Sequence, residues 1–159
     1  SDLAAKGVPF IFDPGQGLPM FSGEDLLHFM ELADYACFND YEAKMACDRT
    51  GLSHEQLAGK VKAMIVTLGG EGSHIYVEGR RLTIPCVAAE QIIDPTGCGD
   101  AYRAGLLYGI TQGWDWEKTG RLAAVMGAIK IACRGGQNHQ PSREEIAVRY
   151  TRAFGQRPW

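Results

Sequence analysis

The sequence lacks the cysteine pattern of a disulfide-stabilised or zinc-binding protein. Its five cysteines, at positions 37, 47, 86, 98 and 133, are odd in number and include no C-x-x-C pair. Disulfide frameworks normally use an even number of cysteines, and structural zinc sites use closely spaced pairs. We expect neither feature. Thiols of this kind indicate a reducing compartment, which predicts a cytoplasmic protein.

Long apolar runs and blocks of like charge are also missing. The longest apolar runs, such as residues 64–68, fall far short of the roughly 20 residues that a membrane-spanning helix needs. No charged start precedes an apolar secretory segment. The net charge is only −3, and charges of the two signs are mixed along the chain. These absences argue against a membrane or a nucleic acid as the main partner.

Glycine, in contrast, is abundant. The chain has 20 glycines in 159 residues, nearly twice the usual share of about 7%. They cluster at 69, 70 and 72, at 97 and 99, and at 135 and 136. Such clusters are typical of backbone that approaches a ligand closely.

Strand and helix patterns alternate through the first half of the chain. The run 64–68 is apolar throughout, which is typical of a parallel strand buried on both faces. Alternation of this kind implies right-handed crossovers. The sequence therefore predicts a three-layer α/β fold with a mostly parallel, doubly wound sheet. The predicted strands are 8–12, 35–38 and 64–68, and the predicted helices run from Ser22 to about 32, from 40 to 48, and from Ser53 to about 61.

The second half begins with a predicted β-hairpin and continues with helices. Ile75, Val77, Leu82 and Ile84 alternate with polar residues around a turn at Gly79-Arg80. Apolar spacing then predicts three helices, at about 98–112, 115–133 and 143–154. There is no internal repeat and no long linker, so a second complete domain is not expected.

The residues with the most chemical potential lie between Asp94 and Asp100, in the segment D-P-T-G-C-G-D. Glycines at a loop-to-helix junction leave backbone N–H groups free to bind an anion, and the helix dipole adds positive potential. Asp100, beside that junction, would accept the proton of an attacking hydroxyl group. The segment thus predicts a phosphate site with an adjacent base.

Spacing alone also fits a glycine turn with an aspartate that only caps the helix, because G-x-G at a helix start is a weak signal. Two nucleotide-binding motifs are excluded. Tyr102 occupies the third glycine position of the dinucleotide fingerprint, and the chain has no G-x-x-x-x-G-K-[ST].

The segment 94–100 resembles the C-terminal signature of the PfkB (ribokinase-like) carbohydrate and nucleoside kinases, commonly D-T-x-G-A-G-D. Three further motifs resemble that family and occur in its order: N-x-x-E at 39–42, T-L-G-x-x-G at 67–72 and G-G-Q-N at 135–138. The resemblance implies a ribokinase-like fold. It also implies transfer of the ATP γ-phosphoryl group to a hydroxyl of a nucleoside or sugar.

The resemblance assigns catalytic roles around the helix start. Asp100 would be the base, and the amides of Gly97, Cys98 and Gly99 would form the anion hole for the transferring phosphoryl group. Cys98 departs from the alanine usual in the family. A monovalent cation, K⁺, is implied near Asp94 and Thr96.

The resemblance also implies residues that bind Mg²⁺ and ATP. Asn39 and Glu42 would act on Mg²⁺ through its water ligands, which suits hard oxygen donors. By themselves, these two residues also fit a helix-capping Asn followed by an exposed Glu. The nucleotide would be contacted at five positions: Thr67, Gly69, Gly72, Gly136 and Asn138.

Only the family resemblance narrows the choice of the compound that accepts the phosphoryl group. Segments 13–16 and 100–105 are most similar to bacterial adenosine kinase-like members, so a nucleoside, adenosine first, is the expected small-molecule substrate. Two alternatives stay open: a ribose- or fructose-type sugar kinase, and a nucleotide-binding fragment that is inactive alone.

The first seven residues resemble the end of a helix closed by Gly7, which predicts that a preceding part is missing. Residues 1–159 would then be the C-terminal nucleotide-binding and catalytic portion of a ribokinase-like domain. The N-terminal half with its β lid would be absent. That half, or a second copy of the chain, is the expected protein partner.

Overall fold

A computed structural model of the chain describes residues 11–13, 15–87, 98–131 and 142–158. The chain forms two compact units, residues 1–83 and residues 84–159. Within the described ranges, the first unit holds a β-sheet with short helices, and the second is mainly helical.

Among the described residues, five strands form one sheet, and their spatial order follows the chain. β1 pairs parallel with β2, and β2 parallel with β3. β4 then pairs antiparallel with β3, and β5 lies at the edge beside β4. The strands are β1 Ile11–Phe12, β2 Tyr35–Asn39, β3 Ala63–Thr67, β4 Ser73–Val77 and β5 Arg80–Ile84.

In the described part of the first unit there are three α-helices: α1 Gly23–Leu32, α2 Asp40–Thr50 and α3 His54–Ala58. Each begins with a capping box. The side chain of the N-cap residue accepts a hydrogen bond from the backbone amide three residues later, and the side chain of that later residue accepts one from the N-cap amide. The caps are Ser22, Asn39 and Ser53. The predicted starts after Ser22 and Ser53 are therefore confirmed.

Four phenylalanine rings pack together in the first unit, from β1, from α1, from β2 and from the segment just before α1. The rings of Phe12 and Phe29 stack at 5.4 Å, and Phe12 meets Phe21 and Phe38 edge to face at 6.0 and 6.1 Å. Such pairs stabilise by about 0.5–1.5 kcal/mol each beyond the area they bury. This cluster fixes α1 against β1 and β2.

Several element ends differ from the sequence prediction. α3 ends at Ala58 instead of near Val61, because the amides of Lys60 and Val61 bond three residues back in tightened turns. The chain must turn there to enter β3, and the amide of Lys62 already donates to the carbonyl of Asp34 at 2.7 Å. β3 lies one residue earlier than the predicted 64–68.

The predicted hairpin is present, with its turn shifted by one residue. Glu78 and Gly79 are the central residues, with φ of 52° and 74°. A two-residue hairpin of type I′ needs positive φ at both positions, and glycine satisfies this at the second. Arg80 therefore begins β5 instead of closing the turn. Two 3-10 segments, Gly15–Met20 and Gly69–Glu71, were not predicted.

The second unit contains α4 Cys98–Thr111, α5 Trp116–Ile131 and α6 Arg143–Phe154, close to the predicted ranges. Ser142 caps α6 by accepting the amide of Glu145 at 3.1 Å. A buried apolar cluster joins α5 and α6, made of Leu122, Val125, Ile129 and Tyr150. None of the helices within the described ranges is long and apolar enough to cross a membrane.

α4 and α5 pack with almost no space between their backbones. A Cβ added to Gly105 would lie 2.7 Å from Cα of Ala123 and 3.0 Å from its backbone nitrogen. Since those are main-chain atoms, only a shift of a whole helix would relieve the contact.

We expect Gly105→Ala to lower the free energy of unfolding by about 1–3 kcal/mol, since overpacking of this kind outweighs the gain in helix propensity of about 1 kcal/mol. Urea denaturation measures the change. Gly59→Ala is the control, because its Cβ would meet nothing nearer than 3.4 Å. Equal stability of both variants would contradict the close packing.

Candidate active site

Two predicted site residues lie side by side at one edge of the sheet. Asn39 ends β2 and Thr67 ends β3, and the two are register partners in the parallel pair. In open α/β sheets, ligands bind beyond the carboxyl ends of parallel strands. The register therefore brings Asn39 and Thr67 together where a ligand is expected.

Asn39 and Glu42 form two reciprocal hydrogen bonds at the start of α2. The amide of Glu42 donates to Oδ1 of Asn39 at 2.7 Å, and the amide of Asn39 donates to Oε1 of Glu42 at 2.8 Å. Glu42 is only 8% exposed. The structure thus confirms that Asn39 caps a helix. The expectation of an exposed glutamate after it is wrong, because the reciprocal hydrogen bond draws the Glu42 side chain inward.

The donor set at this edge fits magnesium held through water. Oε1 of Glu42 is engaged by the helix cap, and within the described ranges Oε2 accepts no hydrogen bond. Mg²⁺ commonly keeps several waters and uses one or two carboxylates. Among the described residues, no three His, Cys, Asp or Glu side chains are grouped so that they could hold a metal ion by themselves, so a dedicated all-protein cage is not expected there.

The segment after Thr67 forms a tight turn that depends on glycine. The amide of Leu68 donates to the carbonyl of Gly72 at 2.8 Å, which closes the turn. Gly69 has φ of 61° and Gly72 has φ of 94°, and side chains rarely accept such values. Gly69 is exposed, so the turn presents bare backbone to solvent.

His74 is the first titratable residue after this turn. Burial, followed by the charges of Arg81 and His54, lowers the pKa of His74 below 6.5. The lowered pKa favours the neutral form of the His74 imidazole.

In the second unit, Asp100 lies in the first turn of α4 and is exposed. Within the described ranges its carboxylate makes no hydrogen bond or ion pair. The positive end of the helix dipole lies beside it. A carboxylate in this position is available to accept a proton from a bound hydroxyl group.

Several predicted site residues lie outside the described residues: Asp94, Thr96, Gly97, Gly136 and Asn138. Cys98 begins α4, and only its backbone is described. Their predicted roles stay predictions.

Arg103 lies near this helix start although no motif indicated it. A Cβ built on Gly99 would lie 2.7 Å from Nη1 of Arg103. Residues four apart share one helix face, so the spacing from Gly99 to Arg103 was the available signal.

The family model for pfkB family carbohydrate kinases matches residues 1–143, so the chain belongs to the pfkB family of carbohydrate kinases. A nucleoside kinase of Methanocaldococcus jannaschii is 37% identical over 138 residues, which are 87% of this chain and 46% of that protein. A ribokinase of Lactococcus lactis is 31% identical over 124 residues, 77% of this chain and 40% of that protein.

Solved structures give the same grouping. The nucleoside kinase of Burkholderia thailandensis in complex with inosine is 55% identical, with a TM-score of 0.96 over 99% of this chain and 52% of that one. A second structure of that kinase holds ADP-inosine. The predicted ribokinase-like three-layer α/β fold is thereby confirmed. The chain spans about half the length of these relatives.

We expect Glu42→Ala to lower the free energy of unfolding by about 1 kcal/mol, because the reciprocal bond to the amide of Asn39 is lost. Glu42→Gln keeps an oxygen acceptor and should change stability by less than half of that. Urea denaturation of both variants checks the difference. Equal losses would show that the capping bond contributes little.

Proposed function

We propose that the protein is an ATP-dependent phosphotransferase that moves the γ-phosphoryl group to a hydroxyl of a nucleoside. The observation that carries this proposal is Asp100, an exposed and unengaged carboxylate in the first turn of α4. It stands in a chain of the pfkB family that is similar to nucleoside kinases.

In this proposal, Asp100 accepts the proton of the attacking hydroxyl group as its oxygen bonds to the γ-phosphorus of ATP. The bond from that phosphorus to the β–γ bridging oxygen breaks, and ADP leaves with the electron pair. The amides of Gly97, Cys98 and Gly99 stabilise the charge of the transferring phosphoryl group. Most of the catalysis is then positioning and charge stabilisation, as is usual for phosphoryl transfer.

The edge of the sheet would supply the magnesium and nucleotide contacts. When bound, Mg²⁺ neutralises phosphate charge, and Glu42 with Asn39 would orient its water ligands. Thr67, Gly69 and Gly72 would line the path of the ATP phosphates and ribose. The exposed backbone at Gly69 supports that role. Gly136 and Asn138 near the adenine stay part of the proposal.

A potassium ion beside Asp94 and Thr96 also belongs to the proposal.

A purine nucleoside is the acceptor we favour. The inosine complex belongs to a kinase that is 55% identical to this chain, which makes inosine the first compound to test. Adenosine remains the prediction from the sequence. A sugar acceptor is the second candidate, supported by the similarity to a ribokinase.

We further propose that residues 1–159 are the C-terminal nucleotide-binding and catalytic portion of the kinase. The share of about half that the chain covers in its relatives supports this. An N-terminal half or a second copy would be the protein partner. The free-thiol composition and the use of ATP favour the cytoplasm.

The first test is acceptor-dependent ADP release from MgATP, with inosine, adenosine, ribose and fructose compared in parallel. It is made with the 159-residue chain and with the longest available form of the protein. Release with a nucleoside supports the proposal. Release with ribose or fructose alone favours the sugar kinase. No release with any acceptor in either form contradicts the proposed activity.

We expect Asp100→Asn to reduce kcat by about 100-fold to 10,000-fold, because an amide cannot accept the proton. Binding of ATP should stay within a few-fold. Steady-state kinetics and calorimetric titration measure the two quantities. Asp48→Asn, at an exposed position of α2, is the matched control. An Asp100→Asn variant that keeps most of its kcat would exclude Asp100 as the base.

We expect Glu42→Gln to raise the Mg²⁺ concentration needed for half-maximal transfer by about 10-fold, the low end of the loss seen when a group that orients a metal's ligands is removed. Titration of activity with MgCl₂ at fixed ATP gives this value. An unchanged Mg²⁺ requirement would limit Glu42 to capping α2.

A further inference from the structure

Two imidazoles from different elements pack on one buried tyrosine ring in the first unit. The imidazole of His54, the first residue of α3, stacks on the ring of Tyr76 in β4, with centroids 5.9 Å apart and planes at 15°. The imidazole of His74, two residues earlier in β4, meets the same ring edge to face at 6.3 Å. We call these three side chains the ring cluster.

The ring cluster adjoins the glycine turn of residues 68–72. The amide of Leu68 donates to the carbonyl of Gly72 at 2.8 Å, and this hydrogen bond closes the turn. Two residues after Gly72, His74 is the register partner of Val66 in β3. His74 therefore belongs to the strand pair from which the turn projects, so its packing acts on the backbone that holds the turn.

The charges that act on His74 are positive. They come from Arg81 on β5, the strand beside β4, and from His54 on α3 when that imidazole is protonated. The other charged residues of β5 and α3, Arg80 and Glu55, are exposed and are not among the groups that act on His74. β3 carries no charged residue. A proton on His74 would thus meet like charge from the elements packed beside it.

Burial, followed by these two charges, lowers the pKa of His74 from its ordinary value of 6.5. A group whose pKa is lowered in the packed state takes up a proton more readily when that packing opens. The packed state is therefore favoured fully above the ordinary pKa, and this preference is lost as the pH falls below it.

We propose that His74 is an acid-sensitive contact, which keeps the glycine turn closed while its imidazole is neutral and loosens the turn when the imidazole is protonated. The link to the nucleotide rests on the proposed function, in which Gly69 and Gly72 line the path of ATP. Acid would then weaken ATP binding without changing a group that touches the phosphates. Histidine is the side chain that ordinarily changes charge between about pH 5 and 8.

Hydrogen exchange of the Leu68 amide tests this contact without any ligand, in the 159-residue chain and in the longest available form of the protein. The amide is bonded to Gly72 in the closed turn. After correction for the intrinsic pH dependence of exchange, its protection factor should be about 3-fold to 10-fold lower at pH 5.5 than at pH 7.5. This is the response of one histidine that titrates within the interval.

Three substitutions identify the group that responds. His74→Gln is neutral at both pH values and should remove most of the response. Arg81→Gln, at an exposed position, should reduce it because one repelling charge is lost. His28→Gln is the matched control, since His28 is exposed and also meets a ring edge to face, that of Phe29 at 6.0 Å; it should keep the full response.

Circular dichroism at both pH values checks that each variant is folded. If His74→Gln is not folded, the response of Arg81→Gln decides. A full response in that variant would then overturn the proposal.

Calorimetric titration with MgATP at the same two pH values tests the link to the nucleotide. Phosphate groups themselves titrate near pH 6, but this effect is common to all variants. The quantity compared is therefore the ratio of Kd at pH 5.5 to Kd at pH 7.5. In the wild type this ratio should exceed that of His74→Gln by about 3-fold to 10-fold.

The outcomes separate the two proposals. An equal pH response of Leu68 exchange in the wild type and in His74→Gln overturns the role of His74. A response in exchange together with equal Kd ratios overturns the link between the turn and ATP. No binding of ATP at either pH contradicts the proposed function, whereas the exchange measurement still decides the role of His74.

Discussion

The parallel pairing of β2 with β3 is the constraint on which the arrangement of the first unit depends. It places Asn39 opposite Thr67, so the start of α2 and the glycine turn after β3 share one edge of the sheet. A slip of one residue would turn every side chain of β3 to the opposite face. Burial of β3 on both faces resists such a slip, since either face would then have to be repacked.

In the proposed function, one carboxylate group, that of Glu42, serves both stability and metal binding through different oxygens. One carboxylate oxygen closes the cap of α2 through Asn39. The other accepts no hydrogen bond within the described ranges, and in the proposed function it would face the water ligands of Mg²⁺. A residue with a purely structural role would tolerate any acceptor at this position. A metal-binding residue needs the charge, and the buried cap holds that charge in a fixed direction. The two roles do not conflict, because they involve different oxygens.

Local signals in the sequence predicted most of the fold. Helix starts were correct where a cap residue has its partner three positions later, as at Ser22 and Ser53, because capping is a short-range interaction. The end of α3 was wrong because it is determined by the entry into β3, which local spacing does not contain. The hairpin turn was displaced by one residue because both Glu78 and Gly79 take positive φ, and glutamate gives no warning of that. In the site, motifs indicated Asn39, Glu42 and Asp100. No motif indicated Arg103, whose four-residue spacing from Gly99 was a signal that the motif search did not use.

The main-chain contact between Gly105 and Ala123 has a consequence for redesign of the protein. Asp100 and Gly105 lie on the same helix, α4. The close contact with the backbone of α5 therefore fixes the position of the helix that carries the proposed base. Attempts to change the preferred acceptor by enlarging side chains on the inner face of α4 would displace Asp100 along with the helix. Substitutions that aim to change the acceptor specificity should therefore be made outside α4, so that the contact between Gly105 and Ala123 is kept.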